Sequence, residues 1–464
     1  MNFSTANIEA AGVCNLPQRP DFLRNSIVDS KTIARRDFLR GAAAAAAFSI
    51  VPGRVLAGSG QTPPSEKLNI ACIGIGGQGA SDIQSVSSEN IVALCDVDWG
   101  RHTAKTFEKF PGIKKYKDFH KMLDAEDKNI DAVTVATPDN IHAVAAMAAI
   151  KRDKHVYCEK PLCHDIYEVR QLTEEARKRG LMTQMGIQVH AESCVRLVAE
   201  MIKSGVIGEV RKVDIWSGKN WGGGTRPEES EPVPETLDWD LWLGPAPWRP
   251  YNHVYLPGNW RRWWDFGTGT LGDMGCHILD PAFWALDLGY PTSVEARPAK
   301  FNDQTYPVAT SVQWEFPARG ALPPVTVTWC DGDRRPPRPE ELEPERKLPD
   351  QGGLYYGEKG TILAPHMGNP RLIPESKMKD FKMPEPFLGR GVNHYQDWIK
   401  ACKGGPKPLA NFDYAGPLSE AILVGNVAAL AGQKLSWDGP SLKITNVPQA
   451  NQYLKRQYRA GWQL

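Results

Sequence analysis

The sequence predicts an α/β chain: a doubly wound parallel sheet in the first domain, then an α+β domain with an open, largely antiparallel sheet. Three observations carry this. Strand-length apolar runs alternate with amphipathic helical stretches from Leu68 onward. A glycine-rich turn joins the first run to the first helix. Past Gly186 the alternation gives way to strands set among glycine- and tryptophan-rich loops.

Leu68–Ile75, Ile91–Asp96, Ala132–Ala136 and His155–Cys158 read as parallel strands, since their continuous apolar character fits burial on both faces. Ser81–Ser87, Arg101–Phe110 and His142–Lys151 carry helical periodicity between them. Leu181–Gly186 closes this domain, residues 68–186. The second domain, 187–464, opens with an amphipathic helix over Cys194–Lys203 and continues with strands such as Val210–Trp216, Ser311–Phe316 and Val325–Trp329. Arg334–Pro349 reads as a Pro- and charge-rich surface loop, Arg390–Gln433 as a helical return, and Tyr453–Leu464 as a tail that docks or frays. No internal repeat is visible.

Composition bounds the function. Among 464 residues, 55 Lys+Arg face 54 Asp+Glu and 41% are hydrophobic, with a mean hydropathy of −0.41. Near-neutral charge argues against a nucleic-acid partner, which needs a basic face. The longest apolar run, Ala42–Val51, is half the roughly twenty residues of a bilayer span. It belongs to a leader. Ser30–Arg40 (SKTIARRDFLR) sets Arg35 and Arg36 ahead of Phe38 and Leu39, the alanine run follows, and Val55-Leu56-Ala57 offers a small-residue cleavage site. That order describes a twin-arginine signal peptide over residues 1–57 and an exported, periplasmic protein, with the export machinery as partner and no stable membrane insertion after cleavage. An ordinary Ala-rich helix is the competing reading. Residues 1–29 precede the motif unexplained, as a misassigned start would leave them. A polar linker, 58–67, follows.

Residues 1–57 hold 7 basic and 4 acidic residues, leaving 48 against 50 in the mature chain. Of nine Cys, eight follow the leader, an even number that would suit disulfides. Cys72 and Cys95, however, sit inside apolar strand runs, and no CxxC pair or His/Cys metal cluster exists. Buried free thiols and no metal are expected.

Gly74-Ile75-Gly76-Gly77-Gln78-Gly79 is a G-x-G-x-x-G turn between strand and helix, the dinucleotide fingerprint of a Rossmann domain: the glycines let the backbone approach a pyrophosphate at a helix N-terminus. Asp96, 22 residues after Gly74, is placed to bind both ribose hydroxyls and to repel a 2′-phosphate, favouring NAD over NADP. Thr137-Pro138-Asp139-Asn140-Ile141-His142 ends the third strand where ligands bind, although Thr137 or Asp139 also suits a simple helix cap. In Glu159-Lys160-Pro161 the Lys could stand between nicotinamide and substrate, or simply be solvated. Asp273 and His277 lie at i and i+4 of one helix face, where a carboxylate can hold hydroxyls and tune an imidazole as proton acceptor. Spacing alone leaves open a capping Asp and a core His.

Together these motifs resemble the glucose–fructose oxidoreductase, inositol dehydrogenase and rhizopine catabolism family, from about Leu68 to the tail and in that family's order. The resemblance implies a Rossmann domain and a C-terminal α/β domain that supports homo-oligomers. It implies that Lys160 and Asp273 orient substrate and that His277 is the general base. Glycines 74, 76, 77 and 79, Gln78, Asp96, Thr137, Pro138, His142, Glu159 and Gln188 would contact NAD, and His190 substrate. Eight of fifteen Trp lie between Val213 and Asp265; one or two should touch a sugar, with Trp260 and Arg261 the expected wall.

An exported nicotinamide enzyme has no free NAD pool, so a tightly held cofactor is expected. The resulting options are an oxidoreductase acting on a sugar, glycoside or polyol hydroxyl, and a redox-neutral glycoside hydrolase or lyase using transient oxidation. A non-catalytic NAD or sugar sensor is the option from another class; it would be expected to have lost Lys160 or His277.

Overall fold

The structure, a computed structural model, describes residues 66–464 apart from residue 101. The leader motif, the extension before it and most of the linker lie outside the described residues.

Six parallel strands form the first sheet: β1 (Asn69–Ile73), β2 (Asn90–Cys95), β3 (Lys114–Tyr116), β4 (Ala132–Val135), β5 (His155–Glu159) and β6 (Thr183–Gly186), in the order β3-β2-β1-β4-β5-β6. The order reverses between β1 and β4, the crevice where doubly wound sheets bind ligands. Helices α1 (Gln78–Val86), α2 (Ala104–Lys109), α3 (Phe119–Glu126), α4 (Asp139–Ile150) and α5 (Ile166–Lys178) connect the strands. The apolar strand runs are buried on both faces, as in β1 and β4. Helix α5 starts on a capping box, Asp165 accepting from the Glu168 backbone while the Glu168 side chain returns to Asp165.

After α6 (Ser193–Lys203) come β7 (Val210–Ser217), the short helices α7 (Trp239–Leu243), α8 (Gly269–Ile278) and α9 (Asp280–Ala285), and most of the second sheet. That sheet adds β8 (Ser293–Pro298), β9 (Thr310–Phe316), β10 (Val325–Asp331), β11 (Gln351–Gly357), β12 (Gly360–Pro365), β13 (Arg371–Ile373), β14 (Leu435–Asp438) and β15 (Lys443–Ile444). Its order is β13-β12-β11-β7-β10-β9-β8-β14-β15, and β7–β10 is its parallel pair.

The expected helical return, 390–433, is two helices with different duties. α10 (His394–Cys402) goes back to the first sheet, where Tyr395, Trp398 and Ile399 share a core with Ile70, Cys72 and Leu94. α11 (Phe412–Ala431) is twenty residues long and apolar enough to cross a bilayer by length and composition. It is instead the core helix of the second domain, packed against β8, α5 and α8. Gly425 is required there, because a Cβ would stand 2.8 Å from Leu271 and 3.2 Å from Trp314.

The loop 334–349 is more than a solvated excursion: Leu342 is buried against Trp216, Cys330, Leu354, Leu363 and Ile373, and Trp216 Nε1 donates to Pro349 O (2.8 Å). It seals part of the outer face of the second sheet. The tail docks. Arg456, half-buried, pairs with the buried Glu168 and donates to Asn140 O (2.7 Å), and Lys151 Nζ donates to Leu464 O (2.9 Å). The eight described cysteines are all free, six of them buried.

Candidate active site

One cleft of about 990 Å³ opens along the carboxyl ends of β1, β2, β4 and β5. Gly74, Gly76, Gly77, Gln78 and Asp96 line one end; Lys160, Trp260, Arg261 and His277 line the other; Thr137, Pro138, Glu159 and Gln188 lie between.

The glycine turn is built for close backbone approach. Gly74 has φ +78°, and a Cβ there would meet Ala136 O at 2.5 Å. Gly77, at φ +52°, faces open space. Gly79 does not line the cleft; its Cβ would meet Gly74 O at 2.0 Å, so its absence lets α1 close onto β1. The first turn of α1 holds no acidic residue, leaving its N-terminus to an anion. Asp96 buttresses this turn by accepting from the backbone N–H of Ile75 (2.9 Å) and Asp98 (3.0 Å). Burial pushes its carboxyl up to about 6, against those same hydrogen bonds.

At the far end Asp273, on α8, is the hub. It accepts from Lys160 Nζ, from Arg261 Nε (3.1 Å) and from Trp221 Nε1 (2.9 Å). Burial alone would raise its pKa, but Lys160 and Arg261 outweigh burial and hold it below the usual carboxylate range. Burial likewise opposes the charge on Lys160, and Asp273 reverses that and raises its pKa. Lys160 is therefore a fixed cation. The anticipated tuning of His277 by Asp273 takes a different form. Those carboxylate oxygens are occupied by other donors, and burial together with Lys160 lowers the imidazole well below its ordinary pKa despite the pull of Asp273. His277 is a neutral ring whose Nδ1 is buried without a partner.

Two anticipated contacts lie elsewhere. His142 is buried outside the cleft, its Nδ1 2.8 Å from Pro161 O and its Nε2 2.9 Å from Thr137 O, so it ties together the turns that carry Thr137 and Lys160. His190 is buried against the Asp280 carboxylate (2.9 Å) and stacks on Trp284 at 4.4 Å, also away from the cleft. Gln188 Nε2 donates to Glu159 Oε1 (2.7 Å), and Gly186 leaves room for that carboxylate, which a Cβ would meet at 2.3 Å.

A roof from residues 226–266 covers the cleft. Its own core contains Trp239, Trp242, Tyr251, Tyr255, Trp260 and Phe266. It is fastened to the edge of the first sheet by Asp238 N to Val97 O (2.9 Å), Trp99 N to Thr236 O (3.1 Å) and Lys117 Nζ to Thr236 O (3.0 Å). Arg459 of the tail donates to Gly244 O (3.0 Å) and pairs with Asp240. Of the eight clustered Trp, Trp242 and Trp260 line the cleft.

Residues 68–187 match the oxidoreductase family with an NAD-binding Rossmann fold, and residues 191–316 match that family's C-terminal alpha/beta domain, together just over half of the chain. The chain belongs to the glucose–fructose oxidoreductase, inositol dehydrogenase and rhizopine catabolism family. Inositol 2-dehydrogenase of Salmonella paratyphi B is 30% identical over 177 residues, 37% of this chain and 51% of that protein. Glucose-6-phosphate 3-dehydrogenase of Bacillus subtilis is 23% identical over 236 residues, 50% and 57% of the two. The chain thus spans about half the length of the curated relatives it matches. Among solved structures, the WlbA dehydrogenase of Bordetella pertussis, in complex with NADH and UDP-GlcNAcA, matches with a TM-score of 0.57 at 18% identity, over 80% of this chain and 99% of that one. The aldose-aldose oxidoreductase of Caulobacter crescentus gives 0.52 at 18%, over 80% and 100%. At such identities the likeness is one of fold.

In this member of the family two site residues escaped the sequence reading. Trp221 contacts Asp273 through a ring N–H that only folding brings near. Asp139, read as a cap, is a buried cleft residue that accepts from Thr268 Oγ1 (2.7 Å) and that burial pushes up to about 7. Its position just past a strand end was the available signal.

Proposed function

We propose that this protein is an exported NAD-dependent oxidoreductase that acts on a hydroxyl of a sugar, glycoside or polyol and keeps its cofactor bound. One observation carries the reading: a single cleft joins a dinucleotide cradle to a charged Lys160–Asp273 pair and a neutral His277. The cradle fits the cofactor, because the glycine backbone is bare where a pyrophosphate would approach and Asp96 stands at the end of β2 for the ribose. Gly74, Gly76, Gly77 and Gln78 would hold the pyrophosphate, with Thr137, Pro138, Glu159 and Gln188 toward the nicotinamide. Bound there, the dinucleotide supplies a hydride acceptor.

The chain's own groups do the rest. Lys160 Nζ, kept charged by Asp273, orients the substrate oxygen and stabilises negative charge developing on it. His277, neutral in this setting, takes the hydroxyl proton on the ring nitrogen that reaches the cleft. The roof excludes water. Roof and tail together support a retained cofactor, and with the leader they favour chemistry that returns the cofactor to its starting state: paired oxidation and reduction, or a hydrolase or lyase cycle through transient oxidation.

Native mass spectrometry of protein recovered from the periplasm tests export and retention together. The expected species begins after about residue 57 and carries one NAD. His277→Ala should keep NAD and lose turnover on a sugar and glycoside panel; undiminished turnover refutes the assigned base.

A further inference from the structure

We propose that the substrate of this site is a sugar bearing an anionic group, a carboxylate or a phosphate monoester, and that Arg261 receives that group. The inference rests on the sugar-oxidoreductase reading for what is turned over, but its evidence is the charge of the pocket wall.

At the substrate end one ionised carboxylate serves two cations. Asp273 Oδ1 accepts from both Lys160 and Arg261, and Trp221 Nε1 takes Oδ2. Lys219, exposed and outside the cleft lining, adds a weaker positive influence that still reaches His277 and His366. The two other acids beside this wall, Asp139 and Glu159, are both pushed up by burial, Asp139 to about 7, and so cancel little. Uncompensated charge in a roofed cleft is costly, and an anionic substrate group removes that cost.

Arg261 is presented for the task. Its guanidinium lies 4.2 Å over Trp260 and 5.6 Å from Trp221, which fix its plane. Nε is committed to Asp273 and Nη1 reaches only Gly258 O at 3.4 Å. Among the described residues Nη2 has no acceptor, and the side chain, 26% exposed, lines the cleft. A planar fork with a free edge suits carboxylate or phosphate, whereas neutral hydroxyls do not need the charge. Trp260 beneath it offers the flat apolar surface that a sugar ring prefers.

The test is calorimetric binding to the NAD-loaded full chain, using matched sets that differ at one carbon: glucose, glucuronate and glucose 6-phosphate, and the galactose equivalents, at low and high salt. At least one acid should bind 10- to 100-fold tighter than its neutral parent, with the preference shrinking in salt. Which acid wins identifies carboxylate or phosphate. Arg261→Gln should weaken the acid far more than the neutral sugar and so collapse the preference, and Arg261→Lys should keep part of it. Neutral sugars binding as well as acids in every set, no acid binding at all, or Arg261→Gln weakening both alike overturns the proposal. Should Arg261→Gln fail to fold, the salt dependence of the wild-type preference decides alone. Acid binding with neither nicotinamide reduction nor any product formed would sink the oxidoreductase reading and leave this one standing; turnover confined to neutral sugars would do the reverse.

Discussion

Asp273→Asn isolates the hub of the site. The substitution keeps shape and removes the charge that Lys160 and Arg261 share. Removing one partner of a buried ion pair strands the other, at about 3–5 kcal/mol. For about 400 residues unfolding together, at roughly 2.1 cal/mol/K each, that lowers Tm by about 4–6 °C at pH 7. The pH dependence is more specific. In the wild type Lys160 has a raised folded-state pKa, so its stabilisation is complete below the unfolded value of about 10.4 and fades only as pH climbs past it. In the variant, burial and Arg261 are opposed only by Glu159, the smallest of the influences on Lys160, and drive that pKa below the unfolded value. The folded variant then sheds a proton that the unfolded chain keeps, and its stability rises with pH toward 10. The gap between the two proteins must therefore narrow from pH 7 to pH 10. Denaturant unfolding at pH 7, 8.5 and 10 reads this directly. A gap under about 1 kcal/mol at pH 7, or one that stays constant to pH 10, refutes the reasoning.

Three further outcomes follow from the same geometry. Gly79→Ala should weaken NAD binding at least tenfold in a calorimetric titration, because its Cβ would stand 2.0 Å from Gly74 O and push α1 off β1. Asp139→Asn should gain on the wild type as pH rises from about 4 to 7, by about 1–3 kcal/mol, since the wild-type carboxyl binds a proton in the fold that the unfolded chain has lost; unfolding curves at pH 4.5 and 7.5 check it, and a variant-minus-wild-type stability that fails to rise counts against it. Arg459→Met should speed NAD release several-fold in stopped flow while moving Tm by no more than about 1 °C, because the ties to Gly244 O and Asp240 hold the roof closed but sit near solvent.

What could be read from the chain follows from what is local in it. β1, β2, β4 and β5 announce themselves because strands buried on both faces must be apolar without interruption. β3 is Lys-Lys-Tyr, a short edge strand with nothing to bury, and gives no such signal. β11, Gln-Gly-Gly-Leu-Tyr-Tyr-Gly, breaks alternation because its glycines admit Ala364 O and Ile215 at close range. The glycine turn and Asp96 are legible since a turn and the next strand end suffice to define them. The Lys160–Asp273 contact spans 113 residues, and motif order, not physics, pointed to it. His142 and His190 show the limit of spacing: it fixes a residue's place on an element, while the direction of a ring is settled by the nearest buried acceptor. For His142 these are two backbone carbonyls, and for His190 the Asp280 carboxylate.

The roof and the tail explain why the second half of the chain matters to a site whose cradle lies wholly in the first. The dinucleotide cradle needs only β1, α1 and Asp96, and on its own it would face solvent. The aromatic core of residues 226–266 cannot be stable on so few residues alone, so it depends on its attachments. One set runs to Val97, Trp99 and Lys117 beside Asp96, and the other to Arg459 of the tail. Arg456, three residues earlier, pairs with the buried Glu168 at the start of α5. Opening the cradle therefore means breaking contacts in the nucleotide domain and in the tail at once, so closure is coupled to the fold as a whole. These attachments are what supports the proposal of a retained cofactor, and they leave the end of the cleft lined by Arg261, Trp260 and Lys160 for the proposed substrate.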